Sequence, residues 1–172
     1  MIKTIALVVV ALIAILLIYA ATKPDSFLVQ RSITISAAPD KIFPLINNLR
    51  SFNTWNPFSL KDAAIKIEYQ GPAEGVGAAY IWQGKESGAG RMEVSAVEPN
   101  ARVQIKLNFT KPFNANNIVD FTLVPQGNAT QVTWAMHGPM PFISKVMTIF
   151  FNMDRMVGGD FAAGLENLKT IV

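Results

Sequence analysis

A series of alternating segments between residues 65 and 137 restricts the fold of this chain more than any other feature of its sequence. In the stretch RVQIKLNF at 102–109, Val103, Ile105, Leu107 and Phe109 alternate with polar residues. Successive side chains of a β-strand point to opposite faces, so this pattern predicts a strand with one apolar and one hydrated face. Similar segments, separated by turns rich in Gly, Pro and Asn, lie at 65–69, 78–83, 91–97, 117–124 and 130–137. Such closely spaced strands predict an antiparallel sheet whose apolar face needs a cover.

The C-terminal segment is suited to be that cover. Its apolar residues recur at three- and four-residue steps, which predicts an amphipathic helix. These residues are Met153, Met156, Val157, Phe161, Leu165, Leu168 and Val172. Gly158, Gly159 and Gly164 each weaken a helix by about 1 kcal/mol relative to Ala, so we expect them to make room for a close strand or for a ligand.

A segment rich in Met and Phe, from Pro139 to Asn152, precedes this helix. Charged residues interrupt the segment and its continuation too often for a second membrane span. The aromatic and Met side chains have three interpretations: the rim of a pocket, a lid, or a surface that dips into a nearby membrane. The residues concerned are Phe142, Met147, Phe150 and Phe151.

The N-terminal run from Ile5 to Ala21 contains no charged residue, and as a helix it is about 26 Å long, close to the thickness of a bilayer core. We therefore predict a membrane anchor at 4–21, with a cleaved secretory signal as the alternative. Lys3 precedes the run, whereas Lys23 is offset by Asp25, so the charge bias places the N-terminus inside and the domain outside the cytoplasm. The predicted organisation is an anchor at 1–22, a linker at 23–27 and one domain at 28–172.

The order of the predicted elements resembles a known architecture. A strand at 29–36, a helix starting at Pro39, a run of strands and a long C-terminal helix resemble the helix-grip fold of the START-related SRPBCC superfamily, in particular its polyketide cyclase/dehydrase and lipid-transport branch. The local features that match are RSITISAAPDKIFPLINN at 31–48, WNPF at 55–58, GxG at 75–77 and TQVTWAMHG at 130–138. The resemblance implies an α+β fold in which a curved antiparallel sheet of about six to seven strands wraps on the last helix, here preceded by one transmembrane helix. The N-terminal anchor and the segment 139–152 depart from the family pattern.

The resemblance also implies a cavity for hydrophobic molecules between the sheet and the last helix. The predicted ligand-binding set combines strand residues that point inward by alternation with residues of the last helix and nearby aromatic residues. The alternative is that the same residues build a packed core. The set consists of Trp55, Phe58, Tyr80, Trp82, Met92, Phe109, Phe121, Trp134, Met136, Phe150, Met153, Val157 and Phe161.

Residues with catalytic or metal-binding chemistry are sparse. The chain has one His and no Cys, so we expect no metal site, no cofactor and no catalytic constellation. His137 alternates with the inward Met136 and should be exposed. Arg31 shares the inward face of its strand, where it would pair with a carboxylate such as Glu98, bind a ligand's acidic headgroup, or reach solvent at the strand end.

The distribution of charged and apolar residues limits the function classes that fit this chain. The net charge of +3 is spread along the chain, which gives no indication of a nucleic-acid partner. The leading hypothesis is a membrane-anchored domain that binds a hydrophobic or lipid-like small molecule. The alternatives are a cyclase/dehydratase-type enzyme acting on a ketide-like substrate, and an interaction module for a protein or a membrane. A protein partner and the oligomeric state stay open.

Overall fold

The computed structural model describes all residues from 1 to 172 and contains six helices and seven strands. The helices are α1 (Ile2–Ala21), α2 (Pro39–Asn47), α3 (Leu49–Phe52), α4 (Pro57–Lys61), α5 (Phe142–Phe150) and α6 (Met153–Ile171). The strands are β1 (Ser26–Ile35), β2 (Lys66–Gln70), β3 (Ala79–Gln83), β4 (Ala89–Glu98), β5 (Arg102–Lys111), β6 (Ala115–Gln126) and β7 (Ala129–Pro139). The strands form one open antiparallel sheet in the order β1-β7-β6-β5-β4-β3-β2. This arrangement confirms the predicted α+β helix-grip fold.

Strand β1 begins at Ser26, beside the end of β7. Ser26 pairs with Pro139, and the amide of Met140 donates to the carbonyl of Asp25 at 2.7 Å, so β1 starts two residues before position 28. Only Thr22 to Asp25 connect α1 to the sheet. Alternation did not reveal this start, because Leu28 is apolar yet exposed and interrupts the alternating pattern before Val29.

The sheet has two distinct ends, and α1 emerges at one of them. We name this end the α1 end. Strand register places five features there: the start of β1, the end of β7, the β3–β4 turn, the β5–β6 turn and the start of β2. The β2–β3, β4–β5 and β6–β7 turns and the β1–α2 connection lie at the opposite end. Helices α2 to α4 therefore return the chain from the opposite end to the α1 end.

Helix α1 is the one helix that is long and apolar enough to cross a membrane. A signal sequence near an N-terminus would satisfy the same criteria. Its side chains are exposed except near its C-terminal end, where Ala20 is fully buried and the helix contacts α5. Helix α1 thus joins the domain at a defined contact.

Helix α6 lies on the inner face of the sheet. Its N-cap is Asn152, whose side chain accepts a hydrogen bond from the amide of Arg155 at 2.9 Å. Two of its glycines allow close packing. A Cβ atom on Gly158 would collide with the Arg31 guanidinium, and one on Gly164 would lie 2.7 Å from Cζ3 of Trp134. Gly159 has open space instead, so only two of the three glycines have a packing role.

Candidate ligand-binding cavity

A cavity of about 260 Å³ lies between the inner face of the sheet and α6. Of the 17 residues that line it, 13 are hydrophobic. The strands contribute through their inward alternate positions, and α6 contributes Val157 and Phe161. Such a surface favours an apolar occupant, since few of its groups compensate for the lost hydration of a polar one.

The cavity occupies only one half of the space beneath α6, and β5 shows the division most clearly. Leu107 and Phe109, near the α1 end of the strand, line the cavity. Val103 and Ile105, on the same face toward the opposite end, are fully buried in the core and touch no part of the cavity. Alternation therefore assigns all four residues to one face, and position along the strand decides which of them meet the cavity.

The same division extends across the sheet and along α6. We name the two parts the cavity half and the core half. The cavity half contains Trp82, Met92, Leu107, Phe109, Val119, Met136 and Val157. The core half contains Val94, Val103, Ile105, Phe121, Leu123, Val132, Leu165 and Leu168. The cavity is consequently at the α1 end of the domain.

An aromatic cluster separates the two halves. Trp134 stacks on Phe161 with ring centroids 4.3 Å apart, and Phe52 lies 6.0 Å from Trp134. All three rings line the cavity on one side, while Trp55 and Phe121 contact the cluster from the core half. Edge-to-face and stacked rings at these distances pack densely, so the cavity ends at this cluster.

Two buried polar groups belong to residues that line the cavity. The Tyr80 hydroxyl donates to the Met92 thioether at 2.8 Å, and burial raises the pKa of Tyr80, so the phenol is neutral. The indole N–H of Trp134 is buried and has no hydrogen-bond partner. A thioether is a weak acceptor, so the Tyr80 hydroxyl is available to an oxygen atom of a ligand. The unpaired indole N–H of Trp134 costs free energy and has no accessible surface toward the cavity.

The polar side of the cavity is held by Asp62. Its carboxylate accepts hydrogen bonds from the amides of Glu86 and Ser87, both at 2.9 Å, and from the Ser87 hydroxyl at 2.8 Å. These bonds from Ser87, with those from the amides of Glu86 and Ala64, lower the pKa of Asp62 to about 2. The β3–β4 turn, which contributes Glu86 and Ser87 to the lining, is thereby fixed to the segment between α4 and β2.

The thirteen residues of the predicted ligand-binding set divide into two groups. Nine of them line the cavity: Phe58, Tyr80, Trp82, Met92, Phe109, Trp134, Met136, Val157 and Phe161. The other four, Trp55, Phe121, Met153 and Phe150, do not. Trp55 and Phe121 lie in the core half, Met153 packs against the core at the start of α6, and Phe150 is 65% exposed on α5. Trp55 and Phe121 are buried apolar residues, like most of those that line the cavity, so residue type and strand face do not specify depth beneath α6.

Eight lining residues were absent from the predicted set: Phe52, Asn56, Ser59, Ile65, Glu86, Ser87, Leu107 and Val119. Leu107 and Val119 share strand faces with Phe109 and Phe121, so alternation was a sufficient signal for both. Ile65 directly precedes β2 in the alternating segment 65–69, so alternation applied to it as well. The remaining five lie in α3, in α4 with its N-cap, and in the β3–β4 turn, where no periodic pattern indicates direction.

Arg31 fixes α6 to the sheet instead of binding Glu98. Its guanidinium donates to both carboxylate oxygens of Asp154, at 2.9 and 3.0 Å. This pair lowers the pKa of Asp154 through the hydrogen bonds that the carboxylate accepts. Glu98 instead lies 3.7 Å from Arg102. Arg31 therefore contacts the start of α6, next to Gly158, and is absent from the cavity lining.

His137 lies on the outer face of the sheet, as its alternation with Met136 predicted, and its side chain is 47% exposed. Its Nε2 atom is 3.3 Å from Asp120 Oδ2. Asp120 is on the same outer face and is largely covered, because Arg102 and Gln104 also donate to it. This polar cluster is separated from the cavity by the sheet.

A family model described as "Polyketide cyclase / dehydrase and lipid transport" matches residues 26–172. The chain belongs to this family. The match covers every strand and α6, and it excludes α1. No curated protein is a significant match to the chain.

Solved structures of the same fold agree with the family assignment. Protein MLL2253 from Mesorhizobium loti is 22% identical with a TM-score of 0.57, covering 85% of this chain and 95% of its own. Protein CV1439 from Chromobacterium violaceum is 15% identical with a TM-score of 0.60, covering 87% and 98%. DynU16, from the dynemicin biosynthetic locus, is 17% identical with a TM-score of 0.58 over 86% of this chain and 47% of its own. At these identities the similarity shows the fold of the family.

Proposed function

We propose that this protein is a membrane-anchored domain that binds a hydrophobic or lipid-like small molecule in the cavity beneath α6. The observation that supports the proposal is the unfilled cavity half, whose lining is apolar in 13 of 17 residues. A packed domain of this size has few voids larger than a water molecule, so an opening of this volume indicates a site. The family description, which includes lipid transport, agrees with an apolar occupant.

The size of the cavity restricts the ligand. Its volume of about 260 Å³ lies just below the range of roughly 300–1,000 Å³ that is usual for small-molecule sites. A short acyl chain or a small ring system fits this volume, whereas a whole two-chain phospholipid does not. The Tyr80 hydroxyl, whose acceptor in the protein is only a thioether, favours a ligand with at least one oxygen acceptor among its apolar atoms.

The anchor part of the proposal is supported by the length and composition of α1 and by its contact with α5. We further propose that the N-terminus is on the cytoplasmic side and the domain outside, because Lys3 precedes the apolar run and Lys23 is followed by Asp25. Cleavage of the run as a secretory signal is the competing outcome, and the N-terminal sequence of the mature chain distinguishes the two.

Ligand binding is tested by identifying what the full-length protein retains. The protein is extracted from its membrane in a lipid-retaining polymer and analysed by native mass spectrometry. Met136→Trp fills the cavity half, and His137→Trp is the matched control on the outer face. We expect an apolar molecule bound to the wild type and to His137→Trp, and its loss from Met136→Trp. An empty wild type, or equal retention in both variants, contradicts the proposal.

A second candidate function is catalysis of the cyclase or dehydratase type. It is favoured by one observation, the neutral buried phenol of Tyr80 beside the cavity, which is suited to donate a hydrogen bond to a reacting carbonyl. Tyr80→Phe removes that donor and keeps the ring. If the protein is an enzyme, the wild type should convert the bound molecule to a product of different mass or double-bond count, and Tyr80→Phe should retain it unchanged.

A further inference from the structure

Exposed apolar side chains concentrate at the α1 end of the domain. Ile143 and Phe150 on α5 are 68% and 65% exposed, and Phe113 in the β5–β6 turn is 69% exposed. Phe142 and Phe151, at the two ends of α5, are exposed as well. Single exposed apolar residues are normal on a protein surface, but a group of large ones at one end indicates an interaction surface.

The connection to α1 keeps this surface near the bilayer. Four residues, Thr22 to Asp25, join α1 to β1, and even fully extended they span only about 14 Å. Helix α5 also contacts α1, and Lys145 of α5 donates to Asp25 at 2.6 Å within the connecting segment. If α1 spans the membrane, the α1 end cannot move far from the headgroups.

Unpaired basic side chains lie at the same end. Lys66 begins β2, Lys85 lies in the β3–β4 turn and Lys111 ends β5, and strand register places them at the α1 end. All three are exposed, and none forms an ion pair. Lysines beside an apolar surface favour anionic lipid headgroups, which attract basic residues near the membrane.

We propose that the α1 end of the domain, through α5 and Phe113, docks on a bilayer that contains anionic lipid, so that the cavity opens at the lipid surface. The proposal rests on the membrane anchor of the proposed function. It explains the location of the cavity half, because Trp82, Phe109 and Met136 lie close to the strand ends that face the bilayer. An apolar ligand would then enter the cavity from lipid without crossing water.

The docking is tested with spin labels in the full-length protein. The chain contains no Cys, so single cysteines introduce one label at a time. Labels are placed at Ile143 and Phe113, with Val124, an exposed residue at the opposite end, as the matched control and Leu12 on α1 as a reference for insertion. The protein is reconstituted in nanodiscs of phosphatidylcholine and phosphatidylglycerol, and accessibility to oxygen and to a water-soluble nickel complex gives the depth of each label.

Docking predicts that labels at 143 and 113 lie about 5–10 Å into the boundary between headgroups and acyl chains, while the label at 124 is in water. If the labels at 143 and 113 are as accessible to the nickel complex as the label at 124, the proposal is wrong and the apolar surface is left to a protein partner. In discs of phosphatidylcholine alone we expect the docked fraction at 143 to fall at least twofold. Equal docking in both disc types contradicts the role of the lysines.

The other measurements separate this inference from the proposed function. If the label at Leu12 is exposed to water, both the membrane-anchor proposal and the docking proposal are wrong. If the label at Leu12 is embedded in lipid while the labels at 143 and 113 are exposed to water, only the docking proposal is wrong. Retention of the bound molecule, measured by native mass spectrometry, tests the cavity independently of either result.

Discussion

The cavity half and the core half are built from the same strands and the same helix, yet only one of them is filled. The difference comes from the helices that follow β1. Helix α2 starts at the opposite end of the sheet and contacts β6, and Ile42, Ile46 and Leu49 of α2 and α3 are buried in the core. Over the cavity half the chain provides only α4 and the start of α6, and of α4 only Phe58 and Ser59 reach the lining. The cavity therefore lies where no further helix packs its side chains against the sheet. The alternation of apolar residues along the strands is the same in both halves.

The largest effect should come from matched deletions of one aromatic ring in each half. Phe121 is fully buried in the core half, so Phe121→Ala should cost about 3–5 kcal/mol of unfolding free energy through lost burial and a new void. Phe109 already borders the cavity, so Phe109→Ala should cost clearly less. Urea unfolding of the full-length protein in micelles, followed by Trp fluorescence, measures both. Equal losses would show that the two halves are equally packed.

A second comparison concerns two glycines of α6. Gly164→Ala places a methyl group 2.7 Å from the Trp134 ring, where the separating aromatic cluster is dense, and should cost about 1–3 kcal/mol. Gly159→Ala meets open space and should stabilise the helix by up to about 1 kcal/mol. The same unfolding measurement gives both values. Stabilisation by both substitutions would contradict close packing of the cluster on α6.

The wall of the cavity should respond to pH in a way that the core half does not. The pKa of Asp62 is lowered from 3.8 to about 2, so its ionised form stabilises the fold above pH 3.8, and this contribution disappears as the pH falls through about 2. Asp62→Asn removes the ionisation. The difference in unfolding free energy between wild type and Asp62→Asn should shrink as the pH falls from about 5 to 2. A difference that stays constant would mean that the carboxylate is not preferentially stabilised in the folded protein.

The smallest effect on stability should come from enlarging a cavity residue. Leu107→Phe has free space to occupy and should change the unfolding free energy of the ligand-free protein by less than about 1.5 kcal/mol, whereas Ile105→Phe, two residues away in the core half, should cost about 1–3 kcal/mol. Leu107→Phe should nevertheless reduce retention of the apolar ligand in native mass spectrometry. Equal destabilisation by the two substitutions would show that no usable space exists beside Leu107.

Much of the fold could be predicted because its signals are local. Alternation in 102–109 identified β5 and its inner face, and the three- and four-residue spacing after Asn152 identified α6. These patterns depend on the geometry of a strand or a helix, which repeats within a few residues. The strand alternation also indicated nearly all inward aromatic residues, including Trp82, Phe109 and Trp134.

The cavity itself depended on contacts between distant parts of the chain. Phe109 and Val103 belong to the same apolar stripe of β5, yet Val103 is fully buried in the core while Phe109 borders the cavity. Nothing in the sequence indicated that Asp62 would accept hydrogen bonds from Glu86 and Ser87. Nothing in it indicated that Arg31 would pair with Asp154. The amino-acid sequence by itself determined the apolar run of α1, the strands and the face of each strand that turns inward. The tertiary structure alone decided how deep each inward residue lies, because depth depends on which other segment covers it.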